Sequence, residues 1–172
     1  GWNSAEQLQG KELSYNNLLD LESALSTVLE FGYEEKDILT TKNFASVILK
    51  HNNPCGASIG KSASQAFLNA LKCDKISAFG GIVAFNSNVD SETAINLKEI
   101  FLECIVAPSF DIEALEILKI KKNLRILKLS KNHLIQKNQT SNKSIMGGLL
   151  VQDNDNTEAV SYTHLRAHET RP

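Results

Sequence analysis

Short apolar runs of strand character alternate with amphipathic stretches along most of this chain, and this alternation constrains the fold more than any other feature. The runs interpreted as strands are 47–49, 82–85, 104–107, 125–129 and 145–151. Apolar residues at helical spacing predict helices over 16–31, 63–71, 91–101 and 111–119. Strands that alternate with helices predict an α/β fold, here a three-layer α/β/α domain with a largely parallel sheet. The polar segments 1–15 and 130–143 are expected to be irregular.

Composition narrows the class of protein. The 172 residues are 42% hydrophobic and carry a net charge of −2, which fits one globular domain and gives no basic field for nucleic acid. No apolar run approaches the ~20 residues that span a bilayer, so no membrane partner is expected. Cys55, Cys73 and Cys104 lack C-x-x-C spacing and a secretory signal. They predict buried, inert thiols in a cytoplasmic protein, with no metal site.

The ends of the chain differ from its middle. Gly1 stands where an initiating Met would be, so residues 1–3 read as the middle of a longer protein. Residues 161–172, SYTHLRAHETRP, resemble a translated sequencing adapter rather than natural protein, and His164 and His168 within them are given no metal role. We therefore expect the fold to lie within residues 1–160.

The most informative stretch begins where the apolar run at 47–49 meets Lys50, His51, Asn52 and two further residues, Asn53 and Pro54. Core packing does not call for a cation, an imidazole and two amides where a strand stops, whereas ligands of α/β sheets bind at strand ends. We expect Pro54 to end the strand and Gly56 to let the chain turn back. The alternative for His51 is a structural hydrogen bond at a strand end.

Two known signatures come close to this region without matching it. Residues 56–62, GASIGKS, fall one residue short of the G-x-x-x-x-G-K-[ST] phosphate loop, which leaves a degenerate phosphate-binding module as an alternative. The zinc deaminase signature requires H-x-E and P-C-x-x-C, but the acid and the second cysteine are both absent. Zinc-dependent deamination is therefore excluded.

Two further positions have both structural and functional interpretations. Ser14 and Asn16 are expected to cap the first helix, with Asp20 complementing its dipole, and these roles leave Asn17 as a candidate site residue. The pair Gly80-Gly81 beside a strand permits close approach of either a neighbouring helix or a ligand.

Four separated motifs together resemble one family. They are QGKELSYNN at 9–17, KHNNPCG at 50–56, SAFGGIVAFN at 77–86 and GGLLVQD at 147–153. In this order they resemble the transformylase part of the bacterial AICAR transformylase/IMP cyclohydrolase family, from the N-terminus to about residue 155. The resemblance implies a cytidine-deaminase-like α/β/α fold without zinc, cut short before the second half of the transformylase.

The resemblance also implies an activity and a set of site residues. The family transfers a formyl group from 10-formyltetrahydrofolate to the 5-amino group of aminoimidazole carboxamide ribotide in purine biosynthesis, and it acts as a homodimer. A potassium ion in longer members belongs to residues outside this chain. The implied residues are Lys50 and His51 for catalysis, Asn17, Asn52, Phe79, Gly80 and Glu103 for the ribotide, and Ile76 for folate.

The catalytic pair carries a geometric condition. Adjacent residues on a flat strand point to opposite faces, so Lys50 and His51 reach one substrate only if the strand is already turning. Three functions remain open from the sequence: formyl transfer by an incomplete segment, ribotide binding without catalysis, and the phosphate-binding module.

Overall fold

The structure is a computed structural model that describes residues 2–33, 44–131, 134 and 140–154. The chain divides into two compact units, 1–135 and 136–172, and each is described by itself. Within the described residues, no helix is long and apolar enough to cross a membrane.

The first unit is built on a six-stranded sheet of order β1-β6-β5-β4-β2-β3. Its strands are β1 (Glu6–Gln9), β2 (Phe44–Lys50), β3 (Asn53–Gly60), β4 (Gly81–Phe85), β5 (Leu102–Ala107) and β6 (Arg125–Lys128). The pairs β4–β5 and β5–β6 are parallel. The pairs β1–β6, β2–β3 and β2–β4 are antiparallel. The prediction of a largely parallel sheet is therefore wrong, because three of the five strand pairs are antiparallel: the N-terminal strand pairs with β6, and the β2–β3 hairpin pairs internally and with β4.

Helices cover both faces of this sheet and form two separate cores. They are α1 (Tyr15–Leu29), α2 (Ala63–Cys73), α3 (Ser91–Lys98) and α4 (Ile112–Leu118). One core buries Leu21 and Val28 of α1 against Val47 and its neighbours on the sheet. The other core holds Phe67 of α2 and Leu97 of α3. Because strand side chains alternate between faces, the sheet supplies both cores, and the predicted three-layer α/β/α fold is confirmed.

The segment after β2 is a hairpin rather than a strand end. β2 pairs with β3 in a register that runs from Phe44↔Gly60 to Lys50↔Asn53. Pro54 lies inside β3, at the edge of the sheet, where a missing backbone donor is tolerated. The expectation that Pro54 stops the strand and Gly56 makes the turn is wrong.

Glycines of β3 serve helix packing instead of turning. A Cβ on Gly56 would lie 2.0 Å from the Ala70 carbonyl oxygen of α2, and one on Gly60 would lie 2.6 Å from the Ala66 nitrogen. Residues 56–60 are extended and paired with β2, so they do not form a phosphate loop. The phosphate-binding module is thereby contradicted.

The second unit contains one described hairpin. β7 (Thr140–Ile145) pairs antiparallel with β8 (Gly148–Asp153) through a turn in which Gly147 has φ 76°. The single strand predicted over 145–151 is wrong, because Met146 and Gly147 reverse the chain. Residues 161–172 lie outside the described residues.

Candidate active site

An open cleft of about 370 Å³ lies where the end of β2 meets the beginnings of β4 and β5, beside the start of α1. Its lining combines two carboxylates, a cation, an imidazole, two phenyl rings and several small polar groups. These residues are Ser14, Asn16, Asn17, Asp20, Lys50, His51, Phe79, Gly80, Phe101 and Glu103. Six of the eight predicted site residues are among them.

Lys50 and His51, the predicted catalytic pair, lie at the β2–β3 turn. Lys50 is the last residue of β2, and His51 and Asn52 form the two-residue turn with φ of 53° and 60°. Two left-handed residues are the geometry of a type I′ hairpin turn. The strand therefore turns directly after Lys50, and both Lys50 and His51 line the cleft. The geometric condition set by the sequence is met.

This turn is made without glycine. Left-handed backbone is uncommon for residues with a side chain, although Asn and His adopt it more readily than most. Such conformations cost on the order of 1–3 kcal/mol each and persist where the surroundings impose them. His51 and Asn52 are therefore held in place by their contacts.

The ammonium of Lys50 is held over the start of β4. Its Nζ donates to the Phe79 carbonyl oxygen at 2.6 Å. Gly80 has φ 72°, and its N–H donates to the Phe101 carbonyl oxygen at 2.8 Å. A Cβ on Gly80 would lie 3.5 Å from the Phe101 ring and 3.9 Å from Lys50 Nζ, so glycine leaves room beside the cation.

Asn17 belongs both to a helix cap and to the cleft. Ser14 Oγ accepts a hydrogen bond from the Asn17 N–H at 3.2 Å, and Asn17 Oδ1 accepts one from the Ser14 N–H at 3.1 Å. Its Nδ2 donates to Glu103 Oε2 at 3.0 Å. The predicted cap by Ser14 is confirmed, and Asn17 itself completes the capping box while it orients Glu103.

Four lining residues were not predicted as site residues: Ser14 and Asn16, which were assigned to the helix cap, and Asp20 and Phe101. Asp20 was assigned to the helix dipole, but it lies beyond the first turn of α1, and its Oδ1 accepts the Asn52 backbone N–H at 2.7 Å. Its position three residues after Asn17, on the same helix face, was the available signal. Phe101 was predicted to lie in the third helix, but it follows the end of α3. Its ring packs against the Phe79 ring, with the two ring centroids 5.2 Å apart.

Asn52 and Ile76 lie outside the residues that line the cleft. In its favourable orientation the Asn52 amide nitrogen donates to Asp20 Oδ1 at 2.9 Å and to the Leu19 carbonyl oxygen at 3.2 Å. Its side chain thus lies on α1. Ile76 is 90% exposed. Their assignments to ribotide and folate stay predictions.

The three thiols have different environments. The pKa of Cys104 is raised to about 12, chiefly by burial, while Arg125 lowers it and the carboxylates of Glu103 and Asp20 add to the rise. Burial and Asp74 raise the pKa of Cys55, against the lowering effect of Lys50. Both groups are protonated at neutral pH, which disfavours a thiolate nucleophile.

The expectation of buried thiols holds for Cys104, whereas Cys55 is half-buried and Cys73 is exposed. Among the described residues, no group of three or more His, Cys, Asp or Glu side chains is arranged to hold a metal ion.

Comparison with known proteins identifies the family. Residues 1–171 match the family model described as "AICARFT/IMPCHase bienzyme". The chain belongs to this family. That membership confirms the resemblance found in the four motifs.

Curated relatives of the AICARFT/IMPCHase family are close in sequence and longer. "Bifunctional purine biosynthesis protein PurH" of Prochlorococcus marinus subsp. pastoris is 89% identical over 158 residues, which are 92% of this chain and 31% of that protein. The protein of the same name from Prochlorococcus marinus strain MIT 9312 is 79% identical over 172 residues, all of this chain and 33% of that protein. The chain spans about one third of the length of these relatives.

This AICARFT/IMPCHase chain is also similar to a solved structure, at much lower sequence identity. RibD of Acinetobacter baumannii, form 2, has a TM-score of 0.41 at 16% identity, over 64% of this chain and 34% of that one.

Proposed function

We propose that this chain supplies the ribotide side of an active site that transfers a formyl group from 10-formyltetrahydrofolate to the 5-amino group of aminoimidazole carboxamide ribotide. The observation that carries the proposal is the convergence of Asn17, Glu103, Lys50 and His51 on one cleft. The relatives are named bifunctional purine biosynthesis proteins, which supports purine biosynthesis as the setting. The proposal includes a cytoplasmic location and a homodimer of the longer protein.

The nucleophile sets the first chemical requirement. The 5-amino group of the ribotide is a weak nucleophile, because the imidazole ring and the carboxamide withdraw its lone pair. It must lose a proton as it attacks the formyl carbon. A neutral imidazole suits that task near neutral pH. His51 is exposed at the cleft, and its placement in the turn presents it to a ligand there. We assign His51 as the base, acting directly or through the substrate carboxamide.

The intermediate sets the second requirement. Attack of the amine nitrogen on the formyl carbon forms a C–N bond and leaves negative charge on the former carbonyl oxygen. Collapse breaks the bond to folate N10, which takes up a proton, while the amine proton has gone to His51. The Lys50 ammonium has three donors, of which one is given to the Phe79 carbonyl oxygen. The others are available to stabilise the oxyanion or to protonate the leaving nitrogen.

The ribotide side is the better formed half of the site. Asn17 fixes Glu103 with one N–H, and the remaining carboxylate lone pairs can accept amine or amide N–H groups. Ile76, assigned to folate, is not among the residues that line the cleft. This difference favours ribotide binding without catalysis as the second candidate function for the chain by itself.

The decisive experiment separates catalysis from binding. The chain is joined to the remaining two thirds of its 89%-identical relative, and His51→Ala and Lys50→Ala are compared with Lys72→Ala, an exposed lysine outside the cleft. His51→Ala is expected to lower turnover by about 10²–10⁴, the usual effect of losing a general base. Lys72→Ala should match the parent.

Calorimetric titration of the unmodified 172-residue chain with the ribotide completes the test. Binding by the chain with an active joined protein supports formyl transfer. Binding with no turnover in the joined protein favours the second candidate. A His51→Ala loss below tenfold would remove His51 from the mechanism.

A further inference from the structure

We infer that Asp20 is a positioning residue of this site: it fastens the left-handed turn at residues 51–52 to α1 and so aims the His51 imidazole into the cleft. The inference rests on the proposed function for its catalytic consequence. Its structural part stands on the contacts of the turn alone.

The turn requires an external restraint. Two-residue hairpin turns of this type strongly prefer Asn-Gly, Asp-Gly or Gly-Gly, because both residues have positive φ. Here the first position is His51, and neither position is glycine. At the start of β3, Asn53 Nδ2 donates to the His51 carbonyl oxygen at 3.0 Å, and this bond does not involve Asn52.

Asp20 supplies that restraint from α1. Its Oδ1 accepts the Asn52 backbone N–H at 2.7 Å, which is the short distance of a hydrogen bond to a charged acceptor. The same oxygen lies 2.9 Å from the Asn52 side-chain nitrogen, which also reaches the Leu19 carbonyl oxygen. Backbone and side chain of one turn residue are therefore both attached to the helix.

The helix is a rigid base for this attachment. Its own residues Leu21, Ala24 and Leu25 are 0%, 0% and 6% exposed and are buried in the core that α1 shares with the sheet. The Ser14–Asn17 capping box fixes its first turn. Because Asp20 lies three residues after Asn17, one short helical segment holds both the amide that orients Glu103 and the carboxylate that holds the turn. Asp20 thereby sets the distance between the ribotide-binding amide and the imidazole.

Three variants isolate this role. Asp20→Ala removes the acceptor, and Asp20→Asn keeps a neutral oxygen at the same place. Glu22→Ala is the matched control, since Glu22 is an exposed carboxylate of α1 whose described bond is to Trp2 Nε1. Asn52→Gly, added to Asp20→Ala, supplies a residue that adopts positive φ without a restraint.

The first readout needs no enzyme activity. Amide hydrogen exchange is measured on the joined protein by mass spectrometry with fragmentation, which resolves single amides at low micromolar concentration. Exchange of the Asn52 N–H is expected to be about 10- to 100-fold faster in Asp20→Ala, the factor that corresponds to a charge-assisted hydrogen bond, and unchanged in Glu22→Ala. Equal exchange in the parent and Asp20→Ala would overturn the inference, whatever the function of the chain.

The second readout is kinetic and uses the joined protein. Asp20→Ala is expected to lower kcat about 10- to 100-fold with KM for the ribotide within threefold, and Asp20→Asn should recover most of the loss. Asp20→Ala combined with His51→Ala should be no slower than His51→Ala alone, because both changes disable the same base. Asn52→Gly should restore part of the rate to Asp20→Ala.

The outcomes separate the two claims. An inactive parent with faster Asn52 exchange in Asp20→Ala refutes the proposed function and retains the restraint on the turn. Losses that multiply in the double variant, or a rise in KM with unchanged kcat, would overturn the positioning role.

Discussion

At the scale of single residues, both the oxygen and the nitrogen of the Asn17 side-chain amide make hydrogen bonds. Its oxygen closes the capping box with Ser14, and its nitrogen donates to Glu103. Asn17 is 5% exposed, and both hydrogen bonds are partly buried. A residue that satisfies a structural requirement can therefore also carry part of a ligand site, and the two contributions can be separated by experiment.

Substitution of either partner of the capping box should cost similar stability but different affinity. Asn17→Ala and Ser14→Ala each remove a cap interaction, and each is expected to lower the free energy of unfolding by about 1 kcal/mol. Both residues line the cleft, but only Asn17→Ala frees the Glu103 carboxylate, so it should weaken ribotide binding by tenfold or more and Ser14→Ala by much less. Urea unfolding and calorimetric titration measure the two effects. Equal affinity in both variants would remove Asn17 from the ribotide site.

The buried thiol of Cys104 predicts a loss of stability at alkaline pH. Its folded pKa is about 12, against an ordinary value of 9.0. Because the folded pKa is raised, its contribution is complete below pH 9 and is lost as pH rises toward 12, where the unfolded chain alone ionises. At pH 10 the loss is about 1.4 kcal/mol, from 1.36 kcal/mol per pKa unit.

The effect of Cys104 is measured as the difference in unfolding free energy between the parent and a variant without the thiol. Unfolding free energies of the parent and of Cys104→Ala are compared in reductant at pH 7.5 and pH 10. Other titrating groups are common to both proteins and cancel. The advantage of the parent over Cys104→Ala should shrink by about 1.4 kcal/mol at the higher pH. A difference that does not change with pH would contradict the buried environment of Cys104.

At the scale of elements, periodicity located most of the chain correctly. The spacing of apolar residues placed α1 and α2, and the apolar runs placed β4, β5 and β6, because one buried face imposes those patterns. β1 was missed, since Glu6–Gln9 has no apolar alternation and is held partly by Gln9 Nε2, which donates to the Lys121 carbonyl oxygen at 2.9 Å. Such a contact between distant residues leaves no local signal.

The β2–β3 hairpin was missed for a different reason. Proline was interpreted as a strand terminator, yet Pro54 lies at the sheet edge, where its lack of an N–H has no cost. Whether a strand is at an edge depends on the whole sheet and cannot be read locally. The residues of the turn were nevertheless identified, because a cation and an imidazole have no role in a core.

Gly56 tests the packing of this hairpin on α2. An added Cβ would lie 2.0 Å from the Ala70 carbonyl oxygen, which is backbone and cannot swing away. Gly56→Ala is therefore expected to lower the free energy of unfolding by about 2–3 kcal/mol or more, the range of severe overpacking. Gly148→Ala is the control, since its Cβ would meet the Ile145 side chain at an ordinary 3.7 Å. Thermal unfolding followed by circular dichroism compares them, and equal Tm values would contradict the packing of α2 on β3.

At the scale of the whole molecule, the cleft is assembled from residues far apart in the chain. Asn17, His51, Gly80 and Glu103 meet only because β2 lies beside β4 and β4 beside β5, with α1 across one face. Strand order of this kind is not encoded in any local pattern. The motifs of the family indicated these residues, whereas Asp20 and Phe101 lay outside the matched roles and emerged from the structure.

The hairpin of the second unit exposes a run of apolar residues. Leu149, Leu150 and Val151 of β8 are 59%, 53% and 60% exposed, and in the described residues β8 pairs with β7 alone. A two-stranded hairpin is marginal by itself, and consecutive exposed apolar residues on a strand favour association. We expect residues 1–155, expressed alone, to form oligomers or aggregates at tens of micromolar and to show no detectable formyl transfer to the ribotide.

Size-exclusion chromatography with light scattering measures the association, and release of tetrahydrofolate followed by absorbance measures the transfer. Leu149→Lys with Val151→Lys should shift the protein toward monomer, because charge on both residues opposes strand pairing. Ile112→Lys is the matched control, since Ile112 is 80% exposed but stands apart from any apolar run, and it should leave the oligomers unchanged. A monomer with measurable turnover would contradict the prediction. It would mean that the cleft around Lys50 and His51 suffices for the reaction without the remaining two thirds of the longer relatives.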